Sequence, residues 1–224
     1  MRKHINIDLE SIVLKLKNVI RLKSDGANNE KDVIALEEYM DVDTQQLKDD
    51  LDFHKQLLKC YVKLSNFKYN IEQIKEAYSK AKFEPTGEND YRDVQGYAQV
   101  ECPQFVQEQF VLPIWKSTGF LRAKSGKVVP AHADMGRVCA ILIPFIGEQN
   151  KNPLRFWKYD EKEEKDILIS ETYIDGPTLI DTTVLHSVDN SSNIERTNFT
   201  ICFDYPFSFE VLAELLLRRG IIHA

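Results

Sequence analysis

From Tyr97 to Tyr205 the chain is divided into short apolar or alternating runs separated by turn residues, and this texture limits the fold more than any other feature. Runs of this length, rich in Val, Ile, Phe, Tyr and Thr, read as strands. The pattern predicts strands at 97–101, 127–131, 137–145, 154–159, 167–173, 178–181, 184–188 and 196–205. Asp175-Gly176-Pro177 signals a tight turn, and 189–193 is a polar loop between the last two strands. Strands this closely set fit a sandwich or a double-stranded β-helix better than a parallel α/β sheet.

Residues 1–82 read as helical instead. Leu9, Ile12, Val13, Leu16 and Ile20 form one apolar stripe, with Asp8 a suitable N-cap, and Val33, Leu36 and Met40 form a second. Leu47, Leu51, His54, Leu58, Tyr61 and Ser65 alternate by four and three, which predicts a third helix. Asn70 can cap a fourth, with Ile71, Ile74, Tyr78 and Ala81 on one side. One-sided stripes must pack on something, here on one another and against a sheet. The texture changes near Glu84-Pro85-Thr86-Gly87. The expected organisation is a helical N-terminal region, 1–82, packed on a β domain, 83–224, that ends in a helix from Ser208 to Gly220. The charged run 160–166 reads as a solvated hairpin loop.

Composition narrows the function class. At 224 residues, 43% hydrophobic and 29% charged, the chain can bury a core. A net charge of −6 without a basic block argues against nonspecific nucleic-acid binding. The four cysteines form no CxxC pair, so neither a zinc knuckle nor a redox dithiol is indicated. The first ten residues lack the uncharged apolar run of a signal peptide, and no segment is apolar enough to span a membrane. A reducing, cytoplasmic setting is expected.

The chemistry concentrates in Pro130-Ala131-His132-Ala133-Asp134, answered by His186 and then Arg196. His132 and Asp134 are two apart, so on an extended segment both side chains leave the same face and can reach one metal. A neighbouring antiparallel strand can bring His186 within coordination range. Two imidazoles and a carboxylate leave three octahedral positions vacant, as a non-haem Fe(II) oxygenase requires. His-x-Asp alone is weak evidence, since Asp is common; the strand context and the trailing Arg196 strengthen it. Read blandly, His132 is a turn histidine, His186 a core histidine bonded to backbone, and Arg196 a strand-end arginine. His54 sits on an apolar stripe and reads as a core histidine, while His4 and His223 are terminal.

With His132-Ala133-Asp134, His186 and Arg196 in this order, the chain resembles the 2-oxoglutarate/Fe(II)-dependent dioxygenases over residues 95–206. Val-Pro-Ala-His-Ala-Asp before the apolar strand 138–145, Phe156-Trp157 and His-Ser-Val-Asp-Asn also look familiar. The nearest branch is aspartyl/asparaginyl hydroxylase-like or proline cis-hydroxylase-like. The resemblance implies a double-stranded β-helix (jelly-roll) core in an α+β fold, with Fe(II) on His132, Asp134 and His186. It also implies 2-oxoglutarate as cosubstrate with its distal carboxylate on Arg196, dioxygen, and hydroxylation of a small molecule or peptidyl side chain with release of succinate and CO2. Arg137 is the nearest cation for a further cosubstrate contact, and Tyr97 and Trp157 are expected to line the pocket. Asp134 departs from aspartyl hydroxylase-type enzymes, which lack that carboxylate, and argues against a halogenase. Two other readings stand beside this one: a catalytically silent β-helix that acts as a binding module, and a cupin-type metal enzyme, whose usual His-x-His is missing here.

Overall fold

The computed structural model describes residues 57–85, 94–110, 115–204 and 207–222. In chain order the elements begin with β1 (Tyr61–Lys63), α1 (Ile71–Ser79), β2 (Glu84–Pro85), β3 (Gln95–Val100) and α2 (Gln104–Gln109). There follow β4 (Ser117–Ala123), β5 (Lys127–His132), β6 (Cys139–Ile146), β7 (Leu154–Asp160) and β8 (Lys165–Thr172). The last are β9 (Thr178–Asp181), β10 (Leu185–Asn190), β11 (Arg196–Phe203) and α3 (Phe209–Arg218). The helices expected at 9–20 and 33–40, the 47–56 part of the third, and His4, His54, His223 and Tyr205 lie outside the described residues.

Seven strands form one antiparallel sheet in the order β1-β9-β6-β11-β4-β3-β2, and four form another in the order β5-β10-β7-β8. From β4 onward the chain alternates between them: β4 in the larger, β5 in the smaller, β6 in the larger, β7 and β8 in the smaller. It then returns through β9, β10 and β11 in the same alternation. That winding is a double-stranded β-helix, and the fold is α+β with β predominating.

The two faces of β11 explain the architecture. All eight of its residues are buried. Phe199, Ile201 and Phe203 point toward the helices: Phe105 of α2 meets Phe199, and Tyr78 of α1 meets Phe120 and Phe145 at ring distances of 5.1 and 5.0 Å. Phe105, Phe120 and Phe199, all buried, contribute about 1.5–3 kcal/mol each. The other face belongs to the space between the sheets, where Ala140, Leu142, Leu154, Phe156 and Ile180 cluster. Thr200 stands opposite Leu142 and Cys202 opposite Ala140, so Arg196, Asn198, Thr200 and Cys202 face inward. Burying polar groups on that inner face costs free energy unless partners or a ligand satisfy them.

One local reading needs correction, one strand is added, and one helix forms as expected. The third helix does not continue to Ser65. Cys60 adopts φ 62°, the chain turns, and Tyr61–Lys63 pairs with β9. Leu58, on the expected stripe, is exposed, whereas Cys60, Val62 and Leu64 are buried, which is the period of a strand. Strand β4 has no counterpart in the sequence reading, because Gly119 at its centre weakens the pattern. The glycine is required there: a Cβ would lie 2.4 Å from Ala98 O and 2.7 Å from the Tyr97 hydroxyl. The fourth helix forms with Asn70 accepting from the Glu72 and Gln73 amides, as its sequence predicts.

Candidate metal centre

His132 ends β5 and stands directly opposite His186 of β10, with ring centroids 4.5 Å apart. Strand pairing alone therefore joins two residues far apart in sequence. After His132 the chain leaves the sheet, and the Asp134 amide donates to Thr182 O at 2.9 Å, which anchors the acid beside the imidazoles. Asp134 Oδ1 lies 3.6 Å from His132 Nε2, and Oδ2 lies 3.8 Å from His186 Nε2. Among the described residues these three form the one group whose ligand atoms all lie within 4.8 Å of one another.

Each imidazole is fixed by its own backbone. Nδ1 of His132 is 2.9 Å from Pro130 O, and Nδ1 of His186 is 2.9 Å from Val184 O. A carbonyl only accepts, so Nδ1 carries the proton in the neutral form of both rings, and Nε2 of each faces the Asp134 carboxylate. Metal-ligating histidines are oriented in this way.

The charges are tuned in opposite directions. Burial pulls His186 down to about 4, against the attraction of Asp134. Burial also opposes charge on His132, but the Asp134 carboxylate and the Pro130 carbonyl outweigh it and raise that ring above its ordinary value. Asp134, despite burial, is held well below the usual carboxylate range by His132 and Arg137. The centre thus carries a permanent negative charge beside one imidazole that stays neutral to low pH.

The expected site residues do not all serve the same place. Arg196 is 2% exposed and faces inward. Its Nη1 donates to Asn152 O at 2.7 Å, its Nε has no partner, and no acid pairs with it among the described residues. Burial alone lowers it to about 10. Tyr97 also faces inward, opposite Leu121, with its hydroxyl 3.3 Å from Ser117 Oγ and its pKa pushed up by burial. Arg137 is not free for a ligand: its Nε donates to Asp134 Oδ2 at 2.6 Å and its Nη1 to Cys202 Sγ at 3.4 Å. Trp157 does not line the interior. It pairs with Leu185, one residue out of phase with His186, and its Nε1 donates to Ser187 Oγ at 2.9 Å on the outer face. The ring beside His186 is that of Phe156, at 6.3 Å.

Sequence reasoning missed Asn198, Thr200 and Cys202, whose signal is the alternation of polar residues in Arg-Thr-Asn-Phe-Thr-Ile-Cys-Phe. Among the described residues, Asn198 Oδ1 is buried without a partner, as is Arg196 Nε. Orphaned atoms of this kind cost about 1–3 kcal/mol each. Thr182, which accepts from the Asp134 amide and donates its hydroxyl to Arg137 O at 3.1 Å, carries no sequence signal at all.

The donor set fits Fe(II), since two imidazoles and one carboxylate on one side of an ion are the pattern of that metal's oxygenases. The inner wall fits a dicarboxylate. A buried guanidinium lacking an acid is matched by a carboxylate, which can accept two parallel hydrogen bonds from it.

No protein-family model and no curated protein match the sequence. Solved structures do match. An oxidoreductase of the 2OG-Fe(II) oxygenase family from Burkholderia pseudomallei is 11% identical at a TM-score of 0.45, covering 67% of this chain and 87% of that one. A Trichoplax adhaerens prolyl hydroxylase, solved with a hypoxia inducible factor peptide fragment, is 12% identical at 0.46, covering 77% and 97%. A Pseudomonas putida prolyl-4-hydroxylase is 12% identical at 0.41, covering 68% and 96%. At these identities the likeness concerns the fold alone.

Proposed function

We propose that this protein is an Fe(II)- and 2-oxoglutarate-dependent dioxygenase that hydroxylates a C–H bond of a small molecule or a peptidyl side chain, releasing succinate and CO2. The observation that carries the reading is the meeting of two imidazoles and one carboxylate at the end of a β-helix whose inner wall holds an arginine with no acid partner among the described residues. His132, His186 and Asp134 would hold the iron, and Arg196 the distal carboxylate of the cosubstrate. When bound, these groups supply the activation of dioxygen and its coupling to decarboxylation.

The chain's own residues do the rest. Asp134 would offset part of the charge of a bound metal. The Pro130 and Val184 carbonyls keep both rings in the ligating tautomer. Phe156 and Leu154, both fully buried, keep water from the inner side. Buried or half-buried free thiols at Cys60, Cys102, Cys139 and Cys202 suit a reducing cytoplasm, where iron stays ferrous. No described helix is long and apolar enough to cross a membrane.

Succinate release tests the proposal. Purified protein given a substrate panel is expected to form succinate only with both Fe(II) and 2-oxoglutarate, and Asp134→Ala is expected to abolish it. If N-oxalylglycine, a redox-inert mimic of the cosubstrate, binds the wild type equally with and without Mn(II), the reading fails.

A further inference from the structure

The Asp134 carboxylate does not offer its two oxygens equally. Each oxygen faces one imidazole, Oδ1 that of His132 at 3.6 Å and Oδ2 that of His186 at 3.8 Å. Oδ2 alone accepts a charge-assisted bond, of 2.6 Å from Arg137 Nε, and among the described residues no guanidinium stands against Oδ1. Bonds of this kind are among the stronger ones a protein makes. A metal ion drawn to Oδ2 would have to approach the guanidinium, cation against cation.

We propose that Arg137 is a positioning residue that reserves Oδ2, so that Asp134 ligates the metal through Oδ1 alone and three coordination positions stay open. The inference rests on the proposed function. A chelating cosubstrate takes two positions and dioxygen one, so a carboxylate gripping the metal with both oxygens would leave one position too few.

The guanidinium is built to stay in place. Gly136, at φ 92°, makes the turn that folds Arg137 back onto Asp134 three residues earlier. Arg137 O accepts from Thr182 Oγ1 at 3.1 Å, and the Val138 amide donates to Phe203 O at 2.9 Å. Cys202 Sγ receives the far side of the guanidinium at 3.4 Å. The same Thr182 accepts from the Asp134 amide, so acid and arginine share one support. Lysine at this position could supply charge but not the planar donor pair that spans Oδ2 and Cys202.

The test counts water. Mn(II) bound to the full-length wild type is expected to carry about three exchangeable waters by proton relaxation enhancement. In Arg137→Gln the count is expected to fall to about two, as Oδ2 swings onto the metal. Mn(II) affinity, by calorimetry, should hold or rise in that variant, while N-oxalylglycine affinity for the Mn(II) form drops at least about ten-fold. Arg137→Lys should recover part of the mimic affinity. A scaffold role would weaken metal and mimic together, and that parallel loss overturns the inference. So does a count of about two in the wild type, which needs no variant to fold. If the wild type binds Mn(II) and the mimic but shows that lower count, the proposed function survives and this inference alone falls. If the wild type does not bind Mn(II), both fall.

Discussion

Replacing Arg196 with methionine separates a ligand-binding arginine from a structural one. The guanidinium is 2% exposed, has no acid partner among the described residues, and is lowered by burial from 12.5 to about 10. That displacement corresponds to about 3 kcal/mol of burial penalty left on the charged form in the ligand-free protein. Against it stands one charged hydrogen bond, from Nη1 to Asn152 O at 2.7 Å, whose loss costs about 1.5–3 kcal/mol. The two contributions nearly cancel, and methionine fills most of the arginine stem's volume. Arg196→Met should therefore move the thermal midpoint by no more than about 2–4 °C, the shift for about 1 kcal/mol in a chain of this size. Ligand binding should respond differently. A buried carboxylate deprived of its guanidinium loses about 3–5 kcal/mol, so N-oxalylglycine affinity for the Mn(II) form should fall at least about a hundred-fold. Mn(II) affinity itself should not change. Scanning calorimetry and isothermal titration on both proteins read all three quantities. A midpoint loss above about 8 °C with intact mimic affinity would show Arg196 to be scaffold and refute the reasoning.

Two further outcomes follow from the same geometry. Metal binding needs both Nε2 atoms bare, so protons compete with it. Mn(II) affinity should be level above the raised pKa of His132 and fall about ten-fold per pH unit below it. Below about 4, where His186 also takes a proton, the fall should steepen to about a hundred-fold per unit; a single slope throughout would contradict the split between the rings. Gly119→Ala places a methyl 2.4 Å from Ala98 O and 2.7 Å from the Tyr97 hydroxyl. It should cost about 1–3 kcal/mol in denaturant unfolding, and an unchanged midpoint would show that β3 and β4 are not packed as described.

How much of this was legible in the sequence depended on period and phase. The alternation that places His132 and Asp134 on one face needs no tertiary information, and His186 on a neighbouring strand follows from the runs around it. The two registers that decide the pocket walls do need it. Phe156 and Trp157 are both aromatic and adjacent, and only the pairing with His186 shows which faces inward. Strand β4 stayed hidden because Gly119 answers to the Tyr97 ring, a contact between strands. At 58–65 the residues fit both a helical and a strand period, and burial of Val62 and Leu64 against the rest of the fold chose the strand. Arg137 appeared in the sequence as a spare cation, because nothing local shows that Gly136 turns it back onto Asp134.

A crystal structure with Mn(II) and N-oxalylglycine tests the central claim most directly, since manganese is located independently by its anomalous scattering. One anomalous peak bonded to His132 Nε2, His186 Nε2 and Asp134, with the distal carboxylate of the mimic on Arg196, is the expected result. A peak elsewhere, or a mimic bound away from Arg196, would contradict the account.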